Sequence, residues 1–418
     1  MNLLKEKIKK YYDMRKIIKN GLDIIGIFDG KYAYRGPDCV QIDLTNDCNN
    51  NCIACWCNSP LLGDKAISPD VKKQTLDYRL VIRLIDRLHS LGTTELYFSG
   101  GGEPLMHHRV IEILAYAKSK GFICTLHTNF TLVNENTIRR LIEKKLDHIV
   151  ISLWAATPEM YVKTHPNKAA SDFLRIKHFL TMLNERKNRY PKVKIYNVIS
   201  NLNYRELIQM VEFALETRSE CVEFTVVDTM PERTDRLLLD KEQAGEILTM
   251  CRELQEDKHY YTGDGKFFIS NFDQFVRRVS SEYNSQAEYD RDYLDAIPCY
   301  VGWLFARIIA DGNVNSCLKS HRIPIGNLYE QDFVDIWNGS KQRDFRKCMA
   351  AGSKNFRILS MIGNDPKKEI GCYKSCDDLG RNILMHEKIL KLTPLQRKLL
   401  QRAAKIKRLE TLLFGHAG

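Results

Sequence analysis

From Val40 onward, short apolar runs alternate with longer stretches whose apolar positions recur at helical spacing. The runs are Val40–Leu44, Glu95–Phe98, Ile123–Leu126, His148–Leu153, Val193–Ile199 and Cys221–Val227, each short enough to read as a strand. Between and after them Tyr78–Leu91, Arg109–Lys120, Asn134–Lys145, Ser171–Glu185, Tyr204–Glu216 and Lys241–Leu254 read as helices. Repeated strand-then-helix units predict parallel strands joined by crossover helices. Six of them suit an α/β fold built as an open, partial (β/α)6 TIM-like barrel better than the closed eight-fold form.

The flanks differ. Leu3–Lys19 sets Leu4, Ile8, Tyr11, Tyr12, Ile17 and Ile18 near helical spacing among lysines, which predicts an amphipathic helix. Ile24–Ala33, around Asp29-Gly30, predicts a hairpin. Asp257–Asp292 is polar, aromatic-rich and without period, so a domain boundary is expected there. In Glu387–Phe414 apolar residues from Ile389 to Leu412 interleave with eight bases. A basic amphipathic helix of this kind can make peripheral contact with an anionic membrane surface, bind a partner, or cap its own domain. The expected organisation is a helix and hairpin over 1–38, the barrel over 39–256, a linker over 257–298, a small C-terminal domain over 299–381 and the basic helix over 382–418.

At 418 residues the chain exceeds the roughly 250–300 at which a single core stops growing, in keeping with more than one unit. No run of about 18 apolar residues and no secretory signal is present, and thirteen cysteines, several of them in tight groups, read as metal or cluster ligands in a reducing, cytoplasmic compartment. The net charge of +11 belongs to the ends: residues 1–20 carry seven bases against two acids and 387–418 eight against two, while the remainder balances 48 against 48. A neutral body gives no basic groove, so nucleic acid is not an expected partner.

The candidate chemistry begins directly after the first strand, at Cys48-Asn-Asn-Asn-Cys52-Ile-Ala-Cys55. Three thiolates at this spacing can converge on one face of an iron–sulfur cluster and leave one iron without a protein ligand. A zinc knot or plainly buried cysteines are the alternatives, although a lone triplet leaves tetrahedral zinc one ligand short. After the second strand comes Ser99-Gly-Gly-Gly102-Glu103-Pro104, which is either a glycine turn or a backbone cradle with a carboxylate beside it. Polar residues end the next strands: His127, Thr128 and Asn129, then Ser152, then Asn197.

Together these features resemble the radical SAM superfamily. The resemblance implies a 4Fe-4S cluster on Cys48, Cys52 and Cys55, with S-adenosyl-L-methionine on the open iron and its amino group on Gly101, Gly102 and Glu103. It further implies that Thr128, Asn129, Ser152 and Asn197 serve the sugar or the methionine carboxylate. One departure stands out: Ala54 occupies the place usually held by an aromatic residue, with Trp56 one step past the last ligand.

Farther on, Cys299, the Gly312-Asn-Val-Asn-Ser-Cys317 turn, Ile325-Gly-Asn, Ile336-Trp337 and the pair Cys372 and Cys376 resemble a SPASM or twitch auxiliary-cluster domain. That resemblance implies a second 4Fe-4S cluster on Cys299, Cys317, Cys372 and Cys376, with Cys348 in reserve. The one-cluster twitch form fits the cysteine count better than the two-cluster form. Cys39, Cys124, Cys221 and Cys251 lie in apolar surroundings and read as packing residues, and nothing assigns chemistry to Cys57.

The implied reaction is reductive cleavage of S-adenosylmethionine to a 5′-deoxyadenosyl radical that removes hydrogen from an unactivated carbon. An external one-electron donor such as flavodoxin or ferredoxin would supply the electron. The expected substrate is a small molecule or carbohydrate modified oxidatively, because the short N-terminal region leaves little room for a peptide-recognition domain. A peptide-modifying enzyme is the alternative, and a noncatalytic iron–sulfur electron carrier is the reading from another class.

Overall fold

The computed structural model describes residues 21–256, 267–320, 323–351, 372 and 374–414; the helix expected at Leu3–Lys19 lies outside them. Among these residues ten strands form one sheet: β1 (Cys39–Asp43), β2 (Glu95–Ser99), β3 (Ile123–Thr128), β4 (His148–Ser152), β5 (Lys192–Ile199), β6 (Cys221–Val226), β7 (Phe268–Ser270), β8 (Phe305–Ile308), β9 (Asn313–Asn315) and β10 (Gly326–Asn327). Strands β1 to β6 pair in chain order and in parallel, as a partial barrel requires. Val40, Ile42, Leu96, Phe98, Leu126, Ile149 and Ile151 are fully enclosed beneath the crossover helices. Those helices start where short polar side chains accept their first free N–H groups: Asp77 from Leu80 at 3.0 Å and Asn134 from Thr137 at 3.0 Å.

The sheet continues past both edges of the six-stranded unit. β7 adds in parallel to β6, and β8 adds in parallel to β1, with β9 and β10 following antiparallel. The C-terminal region is therefore built onto the first barrel strand, and Arg307 of β8 fixes it there. Its guanidinium pairs with Asp43 at 2.7 Å, at the end of β1, and donates to the Leu318 carbonyl at 3.1 Å.

Three expectations are corrected. The hairpin expected at Ile24–Ala33 is a helix over 21–29. Ile24 and Ile27 lie three residues apart and are both buried, and the Asp29-Gly30 pair serves as the helix stop, with Gly30 at φ +80°. The stretch expected to be an aperiodic linker holds β7 and the helices Phe272–Ser280 and Arg291–Ala296, because three strand residues are too few for alternation to be visible. The basic C-terminal helix is two helices, Leu379–Leu390 and Pro394–Phe414. Pro394 cannot continue the first, and Thr393 and Gln396 cap the second reciprocally at 2.9 and 3.3 Å. That second helix docks on its own chain, where Arg408 donates to Asp29 at 2.6 Å and Tyr34 donates to the Ala404 carbonyl at 3.4 Å. Among the described residues no helix is long and apolar enough to cross a membrane.

Candidate active site

The carboxyl ends of the barrel strands surround a cavity of about 340 Å³. Cys48, Cys52 and Cys55 line it together with Gly101, Gly102, Glu103, Thr128, Asn129 and Ser152. Asn197 does not. On β5 the residues alternate, so Tyr196 and Val198 face the cavity while Asn197 shares the enclosed face with Val193, Ile195 and Ile199. Its carboxamide oxygen accepts the Trp154 N–H at 3.0 Å, which makes it a support and not a wall residue.

The cysteine loop and the glycine loop are fitted to each other. A Cβ on Gly102 would lie 2.1 Å from the Asp47 carbonyl oxygen, one residue before Cys48, and the Glu103 N–H donates to that same oxygen at 2.8 Å. The Glu103 carboxylate is almost fully buried and takes three donors: the Thr128 hydroxyl at 2.6 Å, the Asn129 N–H at 2.7 Å and the Leu105 N–H at 3.1 Å. Burial pushes its carboxyl up to about 7, and those three bonds act in the opposite direction. Glu103 and Thr128 thus tie the ends of β2 and β3 together, leaving the glycine backbone as the open surface of this wall. Asn129 carries the tie onward to the cysteine loop, donating to Asn49 at 2.9 Å.

These residues fit a cluster. Asn50 N–H donates to the Cys48 sulfur at 3.4 Å, and the N–H groups of Cys57 and Asn58 donate to the Cys55 sulfur at 3.4 and 3.3 Å. With the facing Cys57 thiol, they draw the Cys55 thiol down to about 6. Burial pushes Cys48 up to about 12, so its thiolate needs a cationic partner in the cavity. The Asn50 side chain lines the cavity, nearly enclosed, within reach of the Cys52 thiol and the Tyr161 hydroxyl. Among the described residues no three acidic, histidine or cysteine side chains converge closely enough for a single metal ion. A cube takes each of three thiolates on a different iron, whereas three cysteines leave tetrahedral zinc one ligand short.

A second group of cysteines lies behind the same cavity. Cys317 and Cys376 are each within electrostatic reach of Cys299 and Cys372, and burial raises both thiols. Among the described residues, Cys348 stands apart from this group: its thiol is raised by burial and by Asp344 and lowered by Lys347, with none of the other cysteines acting on it. The Asn382 amide donates to the Cys299 sulfur at 3.6 Å. Arg278 forks onto Asp290 at 3.1 and 2.8 Å, Asp290 accepts the Cys376 N–H at 2.9 Å, and Arg278 reaches the Cys376 carbonyl at 3.0 Å. The segment expected to be a linker therefore holds Cys376, the last cysteine of the auxiliary group. Cys348→Ser should leave the iron content unchanged, whereas Cys376→Ala should lower it by up to about four atoms per chain, read by iron assay after anaerobic reconstitution.

Several wall residues were not anticipated from the sequence: Trp154, Tyr196, Asp228, Tyr289 and Asp377. Asp228 follows β6 at its carboxyl end, the position where such barrels place reacting groups, and Trp154 stands two residues past Ser152 on the same face. Lys319, two residues past Cys317, connects the two cysteine groups. It pairs with Asp228, stands 3.8 Å from Asp377 and 3.8 Å from the Trp56 ring centre, and the Trp56 indole donates to the Asp228 carbonyl at 2.9 Å. A buried ammonium held by two carboxylates and an aromatic face is a fixed charge, not a mobile one.

The family comparisons agree with this geometry. The model of the radical SAM superfamily matches residues 42–214, and that of the SPASM iron–sulfur cluster-binding domain matches residues 299–361. The chain is similar to the tungsten-containing aldehyde ferredoxin oxidoreductase cofactor-modifying protein of Pyrococcus furiosus, 21% identical over 311 residues, covering 73% of this chain and 82% of that one. It is also similar to a probable GTP 3',8-cyclase of Methanothermobacter marburgensis, 26% identical over 245 residues, covering 54% of this chain and 73% of that one. Among solved structures, Streptococcus suis SuiB bound to S-adenosylmethionine shares the fold, with a TM-score of 0.59 at 13% identity over 82% of this chain and 78% of that one. SuiB bound to its precursor peptide SuiA superposes at 0.58. The matched domains fall where the two cysteine groups lie, so the chain carries a radical SAM domain over 42–214 and a SPASM-type domain over 299–361, domains that use a 4Fe-4S cluster, S-adenosylmethionine and additional iron–sulfur clusters.

Proposed function

We propose that this enzyme oxidatively modifies an unphosphorylated small molecule or carbohydrate at an unactivated carbon, in the space between the first cysteine loop and the auxiliary cysteines. When bound, the clusters and S-adenosylmethionine supply one-electron cleavage, hydrogen abstraction and a place for the electron left on the substrate. The observation that carries the reading is the shared wall. Asp377 lines the same cavity as Cys48, Cys52 and Cys55, and it directly follows the auxiliary ligand Cys376.

The rest of the work falls to the chain's own residues. Gly101 and Gly102 present backbone to the ligand, while Trp154, Tyr196 and Tyr289 form aromatic walls that exclude water. Asp228 and Asp377 bring carboxylates to the far side, with Lys319 holding the first of them in place. No lysine or arginine is among the described lining residues. Among those described residues a triphosphate would meet no basic side chain, whereas hydroxyl or amino groups find acceptors in Asp228 and Asp377. A peptide substrate is the second reading, favoured by the shared fold with peptide-bound SuiB.

Reduced protein given S-adenosylmethionine should release 5′-deoxyadenosine slowly on its own, and faster with unphosphorylated sugars or peptides in a substrate panel. Stimulation by GTP alone would overturn the substrate class. No 5′-deoxyadenosine under any condition would favour a noncatalytic electron carrier.

A further inference from the structure

Trp154 has φ +59°, a left-handed conformation that bulky side chains rarely adopt. Both of its backbone polar groups are held by buried carboxamides: Asn197 accepts its N–H at 3.0 Å, and Asn203 donates to its carbonyl at 2.9 Å. Such conformations persist where the surroundings enforce them, and they concentrate at ligand sites. The indole lines the cavity and packs against the cluster of Ala54, Val227 and Leu237. Its Nε1 is buried and has no hydrogen-bond partner. A buried indole N–H normally finds an acceptor, so a strained backbone and an unmatched donor occur in one wall residue. Ala54 offers only a methyl group there.

We propose that Trp154 forms the nucleoside end of the S-adenosylmethionine site, its indole N–H donating to the adenosyl group and its ring filling the space that Ala54 leaves open. Asn197 and Asn203 hold the backbone that presents it. The inference rests on the cofactor site and not on the substrate proposed for it.

The test is calorimetric titration of the anaerobic, unreduced holoprotein with two ligands: S-adenosylmethionine, and methionine, which has the amino and carboxylate groups but no nucleoside. Trp154→Phe keeps an aromatic ring and removes the N–H. It should bind S-adenosylmethionine about tenfold more weakly, with iron content and methionine affinity unchanged. Trp154→Ala should weaken it further. Wild-type affinity for S-adenosylmethionine in Trp154→Phe would overturn the proposal, as would equal losses for both ligands or a loss that tracks iron. If the wild-type protein bound neither ligand, the cofactor site itself would be refuted, a result distinct from any of these.

Discussion

Replacing Cys48, Cys52 and Cys55 together by alanine should halve the iron of anaerobically reconstituted protein, from about eight atoms per chain to about four. The three sulfurs line one cavity, and the backbone N–H groups of Asn50, Cys57 and Asn58 already point at two of them. With all three gone, that cavity keeps no thiolate, since Cys57 faces Cys55 from behind and does not line it. Cys299, Cys317, Cys372 and Cys376 are untouched and should retain their share. Iron and sulfide assays with the visible spectrum read the result, and release of 5′-deoxyadenosine should vanish with the lost half. An unchanged iron count would refute the assignment of the first site.

Gly102→Ala should reach the same half-loaded state without removing a ligand. The new Cβ would meet the Asp47 carbonyl oxygen at 2.1 Å and its carbon at 2.7 Å, contacts with backbone that no side-chain rotation relieves. The segment that must move leads straight into Cys48, and the Glu103 N–H that donates to Asp47 must move with it. Gly101→Ala is the matched control. Its Cβ would meet the Asn46 side-chain oxygen at 2.4 Å, and that side chain can turn aside, so most of the iron should remain. Full iron loading in Gly102→Ala would show that the two loops are not coupled as drawn here.

Parts of the barrel could be read from the chain because strands such as β6 are buried on both faces. Continuous runs such as Cys221–Val226, set between amphipathic helices, have no competing interpretation. The hairpin expected near Asp29 failed because a turn signal does not specify what precedes it, and only the burial of Ile24 and Ile27 distinguishes helix from strand there. Asn197 was legible in principle. A two-residue period places it with Val193, Ile195 and Ile199, away from the cavity that Tyr196 lines. Choosing between Cys348 and the other auxiliary cysteines was not legible, because three separate segments, at Cys299, Cys317 and Cys372–Cys376, supply the group and spacing does not say which thiols meet.

By itself the sequence determined the order of strands and crossover helices and the placement of Cys48, Cys52, Cys55 and the Gly101–Glu103 loop at strand ends. These follow from local periodicity and from short-range spacing, which need no knowledge of distant residues. Only the tertiary structure decided that β8 joins β1, that Arg278 and Asp290 hold Cys376, that Lys319 lies between Asp228 and Trp56, and that Trp154 packs against the cluster of Ala54, Val227 and Leu237. Each of those is a meeting of residues tens to hundreds of positions apart, fixed by how the sheet curls and by buried charges finding partners, and neither leaves a periodic trace along the chain.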